Sequence, residues 1–259
     1  MRNPLLNAES ITVRFGGVVA LDKVSLAVDE GSFVGLVGPN GAGKTTMFGV
    51  LSGLIRPNSG KVAIDGAVVT RSTPQRRANL GVSRTFQRLE LFGELTVREH
   101  LVLAYRVRQR RDRSFFRDLV GLGNRPSPGE DVVVDELLRL LTLRDVANRP
   151  AVLLPLGTGR LVEVGRALAG SPRVVLLDEP TSGLGSDETE RLAATLQSIR
   201  AEHNVAFVLV EHDVDLVLSL ADTITVLDFG QIIAQGTPED IRASREVQEA
   251  YLGVITEPN

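Results

Sequence analysis

Residues Gly38-Pro39-Asn40-Gly41-Ala42-Gly43-Lys44-Thr45-Thr46 gather glycines, a lysine and two hydroxyls into one short run. Glycines let the backbone curl until successive N–H groups point inward, where they bind phosphate oxygens. The run meets the spacing G-x-x-x-x-G-K-[ST] at every fixed position. That motif also requires a strand before it and a helix after it. Phe33-Val-Gly-Leu-Val37 reads as the strand, and Met47-Phe48 with Val50-Leu51 opens a helical run. A helix that starts at phosphates offers them unpaired N–H groups and the positive end of its dipole. Lys44 adds a point charge for the β- and γ-phosphates, and Thr45 a hydroxyl for Mg²⁺. The chain has three lysines, Lys23, Lys44 and Lys61, and one stands here. The run implies a bound nucleoside triphosphate and leaves open what is done with it.

A second group of reactive residues is Val174-Val-Leu-Leu-Asp178-Glu179-Pro180, an apolar strand ending in two carboxylates. An Asp at the carboxyl end of a core strand holds Mg²⁺ directly or through water. A Glu one step on can orient and deprotonate an attacking water. Pro180 cannot continue a central strand, so the chain must leave the sheet there.

These residues need a scaffold, and the rest of the chain reads as one. Ile11-Thr-Val-Arg14, Val24-Ser-Leu-Ala-Val28 and Lys61-Val-Ala-Ile-Asp65 are strand-like, and Asp29-Glu30-Gly31 is a turn. Val174–Asp178, Val205–Val210 and Thr223–Leu227 are continuous apolar runs, as expected of strands buried on both faces of a parallel sheet. Asp187–Arg200 and Asp213–Leu220 between them read as helices, which implies βαβ units. From about Leu95 to Ala169 the pattern is helical, with Leu137, Leu138 and Leu141 at helical spacing. Within that stretch, Arg106 to Arg117 holds six arginines against one acid. It reads as a solvated helix face or as a surface for anionic lipid or a partner protein. Gly121 to Glu130 reads as a loop.

Composition bounds the function. The 259 residues carry 29 basic and 32 acidic side chains, a formal charge of −3, so no nucleic-acid partner is expected. With no cysteine, disulfides, thiolate metal sites and Cys nucleophiles are excluded. No apolar run approaches the roughly 18 residues needed to span a bilayer. No signal peptide is visible at Met1-Arg-Asn-Pro-Leu-Leu-Asn7, and a soluble, cytoplasmic chain is expected.

In their order along the chain, these motifs resemble the ATP-binding cassette (ABC) transporter ATPases over about residues 5 to 253. The resemblance implies an α/β P-loop NTPase of ABC type. Its parts would be a RecA-like parallel-sheet core, an N-terminal antiparallel β subdomain and a helical subdomain at about 91–169, with a tail at 254–259. It also implies further site residues. Phe15 in Arg14-Phe-Gly-Gly17 would stack on adenine. Gln87 in Ser83-Arg-Thr-Phe-Gln87 would touch Mg²⁺ and the attacking water. His212 in Val210-Glu-His-Asp213 would contact the γ-phosphate.

The family signature L-S-G-G-Q corresponds to Leu154-Pro155-Leu156-Gly157-Thr158, followed by the helix Leu161–Leu168. Gly157 would contact ATP held by the opposite subunit. Pro155 replaces a Ser and offers neither hydroxyl nor N–H. Thr158 replaces Gln, and Gly185 stands where the family often has Asp. These departures bear on coupling between two sites.

Three stretches are similar to the ATPases of branched-chain (hydrophobic) amino acid uptake systems. They are Phe15-Gly-Gly17, the insert from about Arg106 to Glu130, and Gly230–Asp240 continuing through Ala250-Tyr-Leu-Gly253. The resemblance implies ATP and Mg²⁺ as cofactors, transmembrane permease subunits, a second ATPase subunit in a homo- or heterodimer, and a substrate-binding protein. It places the chain on the cytoplasmic face of the membrane. Two alternatives stay open: a cassette for lipid or drug export, and a nucleotide-binding subunit with weak hydrolysis.

Overall fold

The computed structural model describes residues 3–85, 89–109 and 129–252. The chain divides into two compact units: Met1–Arg84, Arg173–Pro180 and Arg200–Asn259 in the first, Thr85–Pro172 and Thr181–Ile199 in the second.

The first unit opens with β1 (Leu6–Phe15) and β2 (Val18–Val28), a hairpin joined at Gly16-Gly17. β3 (Phe33–Val37) leads through the glycine-rich run into α1 (Lys44–Ser52). β4 (Ser59–Ile64), β5 (Ala67–Val68), α2 (Pro74–Asn79) and β6 (Val82–Arg84) follow. Strands β2-β1-β4-β5 make an antiparallel sheet. In β1, Leu6, Ala8, Ile11 and Val13 are buried while Glu9, Ser10 and Arg14 are exposed, the mark of a sheet with one wet face.

The second unit is helical: α3 (Val97–Gln109), α4 (Glu130–Leu140) and α5 (Leu156–Leu168) pack on one another. Val97, Leu101 and Tyr105 form a buried i, i+4, i+8 stripe on α3. Leu137, Leu138 and Leu141 are buried as their spacing predicts. Ile11–Arg14, Val24–Val28 and Phe33–Val37 likewise fall within β1, β2 and β3. Two expectations are corrected here. Glu130 is not loop but the first residue of α4, buried, with Arg106 Nε 2.7 Å from its Oε2. Arg106 is therefore an internal partner rather than part of a free basic face. Arg108 of the run also lies on α3, and residues 110–117 lie outside the described residues.

After α5 the chain returns to the first unit with β7 (Val174–Asp178). Helix α6 (Ser186–His203) comes next in the chain. β8 (Ala206–Val210), α7 (Val214–Leu220), β9 (Thr223–Asp228) and β10 (Gln231–Gly236) follow, then α8 (Pro238–Ala243) and α9 (Arg245–Leu252). The second sheet has the order β10-β9-β3-β8-β7-β6, parallel from β9 to β6, with β10 antiparallel at one edge. Every residue of β3, β7 and β8 is buried, which is why their sequences read as unbroken apolar runs. Parallel strands align their carboxyl ends on one edge, where open α/β sheets bind ligands.

The β9–β10 turn is unusual. Phe229 has φ +42 and Gly230 φ +78, a two-residue turn that normally takes Asn-Gly. Phe229 is 88% exposed, and Gly230 N–H donates to Ala42 O at 3.0 Å, pinning the turn to the glycine-rich loop.

Candidate functional site

Three neighbouring strands of the parallel sheet deliver the reactive residues to one edge. β3 ends in the glycine-rich loop, β8 is followed by Glu211 and His212, and β7 ends in Asp178 with Glu179 next.

The loop is held so closely that two of its positions accept only glycine. Gly38 has φ +149, and a Cβ there would stand 2.1 Å from Leu227 O. Gly43 has φ +105, with Ala20 O 2.7 Å from the place of a Cβ. Gly43 is also the N-cap of α1 and supplies no side-chain cap. The first-turn N–H groups are thus left for an external anion. Pro39 and Thr46 are half-buried, Ala42 is buried, and Asn40, Gly41 and Thr45 are exposed. Lys44 is buried, and its Nζ donates to Gly38 O at 2.5 Å and Pro39 O at 3.0 Å. Burial lowers the Lys44 pKa, and the nearby Glu179 charge acts the other way.

At the other end of α1, Arg77 is 1% exposed and donates to the carbonyls of Val50, Leu51, Val69 and Thr70. Its burial pushes its pKa down to about 10. A cation at the carboxyl end of α1 complements the helix dipole. The helix that meets phosphate at its front is therefore anchored at its back.

Glu179 has φ +47, in the left-handed region that a glutamate seldom adopts. Such strain costs about 1–3 kcal/mol and persists only where the surroundings impose it. Here Glu179 N–H donates to Val210 O at 2.9 Å, and Glu179 Oε1 lies 2.9 Å from His212 Nε2. A carboxylate only accepts, so the ring carries its proton on Nε2. Asp213, the next residue, caps α7 through Leu216 N–H and so fixes the segment that carries His212.

Asp178 is 3% exposed and takes a hydrogen bond from Arg84 Nη2 at 2.7 Å. A buried carboxylate needs such a counter-charge. With the Thr45 hydroxyl, Asp178 makes an oxygen-only donor set, the kind a hard cation such as Mg²⁺ takes. Phe15, at the end of β1, presents a ring 53% exposed, as a base-stacking surface requires.

Phe15, Gly38–Thr46, Asp178, Glu179 and His212 all belong to the first unit. Gln87 lies outside the described residues. Gly157 belongs to the second unit, in the first turn of α5. That helix begins at Leu156, earlier than the expected Leu161, because Pro155 sits at the N-cap rather than inside the helix. Pro155 supplies no side-chain cap. A Cβ on Gly157 would stand 2.5 Å from Glu188 Oε1, while Glu188 Oε2 accepts from Gly185 N–H at 3.3 Å. Glu188 thereby caps the end of α6 that the missing Asp leaves open. Arg77, Arg84 and Glu188 escaped the sequence reading: the two arginines gain meaning only from tertiary partners, while Glu188, three residues after Gly185, carried a local N3 capping signal.

A profile of the family described as ABC transporter matches residues 21–182. The chain belongs to the ABC transporter family. It is an ATP-binding cassette of the α/β P-loop type, an ATPase that powers transport. A second profile, described as branched-chain amino acid ATP-binding cassette transporter, matches residues 231–255. The cassette is 40% identical over 258 residues to the high-affinity branched-chain amino acid transport ATP-binding protein BraF of Pseudomonas aeruginosa, covering 98% of this chain and 99% of that one. It is 37% identical over 258 residues to the like-named LivG of Escherichia coli K12, with coverages of 98% and 99%. A nucleotide-free ATP-binding cassette from an ABC transporter superposes with TM-score 0.83 at 29% identity, covering 96% of this chain and 99% of that one. A cassette in its ADP conformation gives TM-score 0.82 at 30% identity, with coverages of 96% and 98%. Among the described residues, no helix is long and apolar enough to cross a membrane.

Proposed function

We propose that this cassette hydrolyses ATP to drive import of branched-chain or other hydrophobic amino acids. The observation that carries the hydrolysis is the strained Glu179, with its carboxylate 2.9 Å from His212 Nε2 at the edge where the glycine-rich loop opens. The cargo is supported by the match at residues 231–255 and by the names of the full-length relatives.

Phe15 stacks on adenine. The N–H groups of Gly38–Thr46 and the Lys44 ammonium, released from its loop carbonyls, bind the phosphates. Thr45, Asp178 and Gln87 hold Mg²⁺, which supplies positive charge against the phosphoryl oxygens. Glu179 accepts a proton from water as the water oxygen bonds to the γ-phosphorus. The bond from that phosphorus to the β,γ-bridging oxygen breaks, and ADP and phosphate leave. His212 orients Glu179 and the γ-phosphate. Once ATP has drawn Lys44 off its loop carbonyls, Lys44 and the loop N–H groups face the phosphates and need no further reorganisation as charge develops.

A second ATPase subunit, the same chain or a related one, contributes its own signature turn to this site, and Gly157 of this chain serves the partner's ATP. Permease subunits carry the cargo, a substrate-binding protein delivers it, and the cassette works at the cytoplasmic face. The segment near Gln87 to Glu99 contributes to the groove that receives a permease helix.

The test is leucine uptake in cells lacking their own branched-chain uptake and supplied with this chain's membrane subunits and binding protein. Wild-type cassette restores uptake and Glu179→Gln does not. Equal uptake with Glu179→Gln, or none with wild type, rejects the reading. Pro155 favours a second reading, a heterodimer in which the partner carries the complete signature. Light scattering of Glu179→Gln with and without Mg-ATP separates the two, because ATP-driven self-association supports a homodimer and its absence supports the pair.

A further inference from the structure

Arg84 ends β6, and Leu176 lies beside it on β7. Asp178 is two residues beyond Leu176, so the strand period of two returns it to the same face of the sheet. The register thus delivers a guanidinium to the carboxylate. Arg84 Nη2 lies 2.7 Å from Asp178 Oδ2, and the two side chains are 17% and 4% exposed.

The same guanidinium faces α1. Its Nη1 is 3.5 Å from Ser52 Oγ, and its Cζ is 5.8 Å from the centroid of the Phe48 ring. Phe48 and Ser52 stand four and eight residues after Lys44, so all three share one stripe of that helix. One side chain therefore touches the strand end that carries Asp178 and the helix whose first turn carries Lys44 and Thr45. In the chain it stands three residues before Gln87.

We propose that Arg84 is a positioning residue that sets the Asp178 carboxylate for Mg²⁺ and ties its orientation to α1. This rests on the reading of the site as one for Mg-ATP. Mg²⁺ demands near-ideal octahedral geometry, so a carboxylate free to turn binds it poorly. Groups that orient a metal ligand commonly change metal affinity about 10–100-fold when removed. A planar guanidinium that donates to Asp178 and lies over Phe48 fixes direction as well as charge, and a lysine ammonium supplies only the charge. An opposing force exists, because a cation beside the carboxylate repels a dication. Orientation is the larger effect here, since Asp178 is almost wholly buried and the guanidinium grips its Oδ2 at 2.7 Å.

The experiment titrates Mg²⁺ into the full chain with a fluorescent ATP analogue, comparing wild type, Arg84→Met and Arg84→Lys. The readout is nucleotide binding, with hydrolysis followed in parallel. In EDTA, analogue affinity stays within about twofold of wild type in both variants. The Mg²⁺ concentration for half-maximal enhancement of binding rises about tenfold in Arg84→Met and less in Arg84→Lys. A purely structural role would lower the melting temperature and the hydrolysis rate at every Mg²⁺ concentration without moving that midpoint, and this outcome overturns the proposal. A midpoint that falls also overturns it, because the guanidinium would then be opposing the metal. Should Arg84→Met fail to fold, an unmoved midpoint in Arg84→Lys is enough to reject it. A wild-type chain indifferent to Mg²⁺ would sink the Mg-ATP reading itself.

Discussion

Helices α1 and α5 both begin without a side-chain cap, at Gly43 and at Pro155. By contrast, α2, α7 and α8 are capped by their own Thr73, Asp213 and Thr237. A cap oxygen sits where an external anion would bind, so the two helices proposed to meet phosphate are open at that end; α4, which begins at Gly129 with no side-chain cap, is open too, so an open end permits an anion without making a site. The resemblance stops there. Helix α1 adds Lys44 and Thr45 to its N–H groups and is fixed at its rear by Arg77. Helix α5 offers its first N–H groups and Thr158, with no hydroxyl at position 155. On the proposed reading, one end is a complete half-site, and the other is a contact that needs a partner's nucleotide to give it meaning.

The sharpest way to break this contrast is Lys44→Ala. It should weaken ATP binding by about two to three orders of magnitude, as loss of a charge-stabilising group in a buried site does. Near-normal turnover would mean that α1 is no more complete than α5. Next comes Glu179→Gln, which should keep ATP bound while hydrolysis falls about 10²–10⁴-fold. A fall of less than about tenfold, worth about 1.4 kcal/mol, removes Glu179 from the role of base. Pro155→Ser tests the weaker end. Placed on the Glu179→Gln background, it restores a hydroxyl able to meet a phosphate. A hydrogen bond to a charged group contributes about 1.5–3 kcal/mol, so Mg-ATP-driven dimerisation by light scattering should strengthen about tenfold or more. An unchanged dimer would show that position 155 does not limit closure. The smallest effect concerns the turn that pins the loop. Phe229→Asn should raise stability by about 0.5–1 kcal/mol in thermal melts, because Asn accepts the positive φ that Phe resists. A drop would show that the exposed ring makes a contact the fold needs.

The sequence revealed what is local. The glycine-rich run, the strand before it and the helix after it need only neighbouring residues, and β3 and β7 have the expected ends. Asp178 and Glu179 were legible because an apolar strand stopped at two acids. Phe15 and His212 became legible only through the ordered resemblance, since a lone Phe or His has many bland uses. The chain between β4 and α3 was hard to read because β5, α2 and β6 are two, six and three residues long, too short to show a period. Arg84 and Arg77 were invisible for a different reason. One depends on the register of two parallel strands, and the other on a carbonyl cluster assembled from α1 and residues 69–70.

Arg77 has a consequence for how the molecule comes apart. Among the described residues the other buried arginine is Arg160, which holds the Glu163 carboxylate, and burial raises the pKa of Glu163 so that acid protonates it the sooner. Carbonyl oxygens do not titrate in that range, and added salt does not screen a dry contact of this kind. As pH falls, the grip of Arg160 on Glu163 within the signature helix should therefore fail before the grip of Arg77 on α1. Acid would leave a chain that has lost its signature helix's ion pair while its phosphate-binding helix is still seated.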